Sequence, residues 1–125
     1  MPYIKLTTAK KLTHEQQQEL SYGLTEAVKK IPNKEIIFLF IEDGKKVFLG
    51  NVEQADLAFL EFDLVGHFST EIKRAFAKEA YAVITRVTGT TPENTSMRIT
   101  EHMDWACFGE YFEMTEDGLP KKPTE

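Results

Sequence analysis

The chain has 125 residues, 42% of them hydrophobic and 28% charged, which suffices for one buried core and one domain. Its formal net charge of -5 leaves no basic surplus to neutralise phosphates, so nucleic acid is not an expected partner. A single cysteine, Cys107, and three histidines without ligand-like spacing (His14, His67, His102) give no disulfide, metal or redox signal, and no cofactor is expected.

The chain opens Met-Pro-Tyr-Ile-Lys-Leu-Thr-Thr, without the charged and apolar regions of a leader. No apolar run approaches the roughly 20 residues of a membrane helix, so the expected setting is the cytoplasm, without a membrane partner. From Pro2 to Thr8, Ile4 and Leu6 alternate with Tyr3, Lys5 and Thr7, the period of a half-buried strand. Thr13 followed by Gln16 has the form of a capping box. Leu20, Leu24, Ala27 and Ile31 then recur at helical spacing until Pro32 and Asn33 interrupt. Ile36 to Ile41 is an apolar run suited to a central strand, and Asp43-Gly44 marks a turn.

Leu57 to Gly66 alternates again, with Ala58, Leu60, Phe62 and Leu64 on one face. Ser69 offers a second N-cap, Ile72, Phe76, Ala80, Val83 and Val87 draw an apolar stripe, and Gly89 supplies a stop. Thr95 to Met103 returns to strand-like character. The expected domain covers residues 1–117, and residues 118–125, with two prolines and two lysines, read as a loose tail.

The caps Thr13 and Ser69 stand 56 residues apart, as do Pro2 and Ala58, Ile4 and Leu60, and Leu6 and Phe62. The pattern predicts an α/β two-layer sandwich of two pseudo-repeated β-α-β units. Right-handed crossovers then give a four-stranded sheet of two parallel pairs with both helices on one face. The other face would carry Lys5, Thr7, Glu61 and Asp63 beside Tyr3 and Phe59, too polar for a second core layer but aromatic enough for a subunit contact.

The sequence resembles the tautomerase superfamily, in the branch of macrophage migration inhibitory factor and cis-3-chloroacrylic acid dehalogenase. The features that carry the likeness are Met-Pro opening a strand, the Leu12-Thr13 helix start, the segment from Val47 to Gln54, the Val65-Gly66 strand end and the doubled β-α-β layout. It spans the chain to about Glu113. The resemblance implies a homotrimer around a central channel, with active sites at subunit boundaries and no cofactor.

Removal of Met1 would leave Pro2 as a secondary amine at the start of a buried strand. An α-amino group titrates near about 8, and apolar surroundings or a nearby cation favour its neutral form, so Pro2 is the expected general base. The enolate formed by proton removal calls for a cation or a hydrogen-bond donor. Lys34, between the first helix and the second strand, lies close to a functional lysine of the inhibitory-factor branch. Lys11 lies where 4-oxalocrotonate tautomerase places an arginine that grips a substrate carboxylate. Arg98 is a further candidate cation.

By the same resemblance Val65 and Phe108 are pocket walls. The branch's substrate-contacting asparagine and tyrosine fall near Ile99 and Met97, which cannot polarise a carbonyl. Glu110 aligns with the water-activating glutamate of the cis-dehalogenase. That enzyme's paired arginines are replaced by Val65 and Phe68, and its helix histidine by Val28, which argues against dehalogenation. His67, ahead of the second helix, is a possible acid or substrate contact.

The expected function is keto-enol tautomerisation of a small α-keto acid such as phenylpyruvate, by Pro2 with a lysine on the carboxylate. The alternatives are hydration or decarboxylation of an unsaturated or β-keto acid, with Glu110 positioning water, and a noncatalytic trimer that binds a small molecule or a protein.

Overall fold

A computed structural model of the chain describes residues 2–114 and 120–121. Its sheet has the order β2-β1-β5-β6 and is built from β1 (Tyr3–Thr8), β2 (Phe38–Glu42), β5 (Ala58–Val65) and β6 (Thr95–His102). Tyr3 pairs with Phe38 in a parallel register, and Ala58 with Thr95 in another. The two units meet through the antiparallel pair β1–β5, with Tyr3 opposite Asp63 and Thr8 opposite Ala58. These are the two β-α-β units that the 56-residue spacing predicts. Helices α1 (His14–Val28) and α2 (Thr70–Thr88) make the crossovers.

Local chemistry sets both helix starts. The Thr13 side chain accepts from the Gln16 N–H while the Gln16 side chain accepts from the Thr13 N–H, a complete capping box. Ser69 accepts from the Ile72 N–H. Gly89 ends α2 in the left-handed region at φ 79°, where a side chain would be strained.

The inward residues Ile4, Leu6, Leu60, Phe62 and Leu64 join Leu20, Leu24, Ala27, Phe76, Val83 and Ile84 in one core between sheet and helices. Phe62 of β5 stacks on Phe76 of α2 with ring centroids 4.2 Å apart. Each such side chain contributes about 1.5–3 kcal/mol by leaving water. No described helix is long and apolar enough to cross a membrane.

Two hairpins extend the predicted pattern. β3 (Val47–Leu49) pairs with β4 (Val52–Gln54), and β7 (Trp105–Cys107) pairs with β8 (Glu110–Met114). The expected tail, residues 118–125, lies outside the described residues except Pro120 and Lys121. These form a short β9 whose backbone pairs with Met114 and Glu113.

Candidate active site

The strand directions gather one end of the sheet. β1 and β2 begin there, while β5 and β6 end there, so Pro2, Phe38, Val65 and His102 share that pole. Pro2 is buried, and its carbonyl accepts from the Phe38 N–H at 2.9 Å.

The turn after α1 delivers Lys34 to the same pole. Its backbone N–H bonds the Ile31 carbonyl, and the whole residue is only 6% exposed. Its ammonium stands 5.8 Å from the centroid of the Phe68 ring. No described carboxylate pairs with it, and burial holds its pKa below the ordinary lysine value. A desolvated cation without a counter-ion is poised to accept an anionic group.

Phe68 is held from behind. Gly66, at φ 104°, turns the chain out of β5, and the Glu101 carboxylate then accepts from the Phe68 N–H at 2.6 Å and from Lys73 at 3.0 Å. His67 makes the third contact to this carboxylate, at 3.2 Å, with its ring mostly in solvent. Burial alone would raise the Glu101 pKa, but these partners outweigh it and hold the group below its usual value.

The β7–β8 hairpin closes the outward side. Trp105 lies against His102 of β6 with centroids 5.6 Å apart, while Phe108 lies against Phe38 of β2 at 5.4 Å. The hairpin therefore reaches from one edge strand to the other across the Pro2 pole. Val65 is buried yet stands outside the core cluster, and strand parity puts it on this outward side. Phe108 takes a left-handed φ of 51° at the turn, unusual for a non-glycine residue and a form of strain that recurs in functional loops. The Trp105 indole N–H is buried without an acceptor among the described residues.

Pro2, Lys34, Val65 and Phe108 all fall at this end of the sheet, Lys34 beside Phe68 of the core cluster and Phe108 against Phe38 on the outward face. Glu110 stands next to this group, exposed at the start of β8 and opposite Cys107. Lys11 does not join them within one chain. It is exposed beyond the far end of β1, and six residues at about 3.3 Å each set it roughly 20 Å from Pro2. Arg98 faces outward and pairs with Glu61.

Met97 and Ile99 pack on the core. The outward residues of the same strand are Ser96, Arg98, Thr100 and His102. The sequence reading missed Phe38 and the Asp63–His102 pair, whose carboxylate and imidazole Nε2 are 2.6 Å apart. Strand parity was the available signal, since Asp63 and His102 both fall on outward positions. A groove of about 390 Å³ lined by Glu15, Gln18, Glu19, Tyr22, Arg86 and Val87 lies between the helices, at the end remote from Pro2.

No protein-family model matches the chain, and no curated protein matches its sequence. Solved structures do match. MIF2 of Leishmania major superposes with a TM-score of 0.78 at 14% identity, over 90% of this chain and 97% of that one. A fused 4-OT, described as an asymmetric trimer, gives 0.76 at 17% identity over 87% and 94%. Pt0534, inactivated by 2-oxo-3-pentynoate, gives 0.69 at 14% identity over 86% and 92%. Likeness of this kind is a likeness of fold, and the fold of this chain is the one seen in these macrophage migration inhibitory factor and 4-OT structures.

Proposed function

We propose that this protein is a cofactor-independent tautomerase acting on a small 2-oxo acid of the phenylpyruvate type, with Pro2 as its general base. The observation that supports the reading is that buried Pro2 and buried Lys34, which no described carboxylate pairs, fall at the same end of the sheet among aromatic side chains.

Once Met1 is removed, the Pro2 amine sits among apolar neighbours that favour its neutral, basic form. The ammonium of Lys34 holds the substrate carboxylate, and Phe38, Phe108 and Val65 border the rest of the substrate. Pro2 takes the proton from the carbon next to the carbonyl and returns it there in the reverse direction. Its ring restricts the direction of the lone pair, which keeps the transfer within one bound molecule. The inactivation of the structural neighbour Pt0534 by a 2-oxo acid derivative supports this substrate class.

The chain is taken to act as a homotrimer with sites at the subunit boundaries. The mixed polar and aromatic outward face, with Tyr3 and Phe40 in ring contact at 5.1 Å, supports that assembly.

Intact mass together with phenylpyruvate enol-to-keto turnover, for wild type and Pro2→Ala, tests the reading. Absence of Met1 and collapse of turnover in the variant are expected. A retained Met1, or turnover absent or indifferent to the substitution, would replace it with the noncatalytic binding protein.

A further inference from the structure

Keto-enol exchange moves two protons, one at carbon and one at oxygen. Pro2 serves the carbon under the reading above, on which this inference rests, and the oxygen needs a group of its own. We propose that His102, oriented by Asp63, is the acid–base catalyst for the substrate oxygen.

Three observations place it there. The pair Val65–His102 ends the β5–β6 ladder, two positions beyond Asp63, which itself pairs with Tyr3, the residue after Pro2. The imidazole therefore stands at the pole where β1 begins. Its hydrogen bond to Asp63 draws it back over β5, one strand spacing or about 5 Å from β1. This is the outward side roofed by Trp105 and Phe108.

The chemistry of the pair fixes the tautomer. An ionised carboxylate only accepts, so Nε2 carries the hydrogen and donates it to Asp63, leaving the Nδ1 lone pair free. No described group bonds Nδ1. The carboxylate also compensates the positive charge that forms when Nδ1 takes a proton, as an oriented acid–base dyad requires. Trp105 lies against the ring, and its unpaired N–H would gain an acceptor if an oxygen arrived beside His102. The titratable groups on the elements around the ring include Asp63 on β5, Tyr3 on β1 and the bonded Asp104 and Tyr111 of the hairpin, with Lys5 paired to Glu42 and Arg98 paired to Glu61 further along the same face.

In the enol-to-keto direction Nδ1 takes the enol O–H proton, the oxygen's electron pair forms the carbonyl, and the carbon takes a proton from the Pro2 ammonium. His102 is left protonated and Pro2 neutral. The imidazole is 37% exposed, so it returns its proton to water while Pro2 regains one, which closes the cycle. In the reverse direction each transfer runs backward.

The test is steady-state turnover of phenylpyruvate against pH for wild type, His102→Gln, Asp63→Asn and Asp63→Glu, with a thermal melt of each. His102→Gln is expected to lower kcat by about 100-fold or more, to leave KM within about threefold, and to remove one limb of the kcat–pH profile. Asp63→Asn can donate to Nε2 and so invert the tautomer; it should lower kcat at least about tenfold with an unchanged melt, and Asp63→Glu should restore part of the loss. An active wild type whose kcat and pH profile survive His102→Gln overturns this inference alone. If that variant does not fold, wild-type kcat in Asp63→Asn overturns it. A wild type without turnover overturns the tautomerase reading and this inference with it.

Discussion

The ammonium of Lys34 lies 5.8 Å from the centre of the Phe68 ring, and both residues are buried at the pole where β1 begins. The attraction between a cation and a ring face offsets part of the cost of removing the charge from water. The remaining cost lowers the lysine pKa, so between that lowered value and 10.5 the unfolded chain binds more protons and stability rises with pH. Lys34→Met is expected to stabilise the protein at pH 7 by about 1 kcal/mol, a gain that shrinks as the pH approaches 10.5, while KM for a 2-oxo acid rises at least about tenfold. Melts at the two pH values and one kinetic assay check it. A destabilised variant at pH 7 would contradict the unpaired buried charge.

Phe68 keeps its place through Glu101. Because the folded-state pKa of that carboxyl is depressed, its stabilising contribution is present above its ordinary value of 4.5 and is lost as the pH falls through the lowered one. Glu101→Gln should cost about 1–2 kcal/mol at pH 7 and progressively less as the pH falls below 4.5, measured by urea unfolding. An equal cost across that range would assign the effect to packing rather than charge.

Helix α1 carries a glycine on its buried face. On propensity alone Gly23→Ala would stabilise the helix by about 1 kcal/mol. Here the added methyl would stand 2.6 Å from Val83 Cγ1, so a loss of about 1–3 kcal/mol is expected. Val83→Ala in the same chain should recover part of it, which a double-mutant cycle would read.

The two N-caps differ in depth. Gln16 completes the box at Thr13 and also donates from Nε2 to the Val87 carbonyl at 3.2 Å, tying the start of α1 to the end of α2. Ser69 makes the single cap bond. Thr13→Ala should cost about 1–2 kcal/mol and Ser69→Ala about 1 kcal/mol, with chemical denaturation giving the order.

Phe108 is 73% exposed and holds a left-handed backbone, so its ring contributes little to burial and its conformation costs energy. Phe108→Gly should leave the melting temperature unchanged or slightly higher, while KM rises as the contact with Phe38 is lost. A large drop in melting temperature would mean that the ring holds the hairpin closed.

What could be read in the sequence was what neighbours along the chain determine. The caps at Thr13 and Ser69, the alternation of β1 and β5 and the stop at Gly89 each depend on a few adjacent residues. The hairpins did not stand out, because strands of three residues such as Val47–Leu49 are too short to display a period. The Phe108–Gly109 turn adopts positive φ at a residue type that gives no such signal.

The placement of the candidate residues was legible in part for the same reason. Pro2 and Val65 sit on strands whose phase is clear. The burial of Lys34 depends on a loop 34 residues away bringing Phe68 over it, and after Pro32-Asn33 a lysine reads as solvated. The Asp63–His102 bond joins groups 39 positions apart across two strands and follows only from the register.

The antiparallel seam between β1 and β5 makes the two halves structural twins but not functional ones. Ala58 occupies in the second half the place that Pro2 has in the first, yet it lies at the opposite pole, between Thr8 and Thr95, with its nitrogen in a peptide bond that removal of Met1 would not free. A duplicated unit of this kind cannot offer two equivalent amines per chain. The second half instead brings the C-terminal ends of its strands, with the clamp of Glu101 and the hairpin beyond, to the pole where Pro2 leads into the first half.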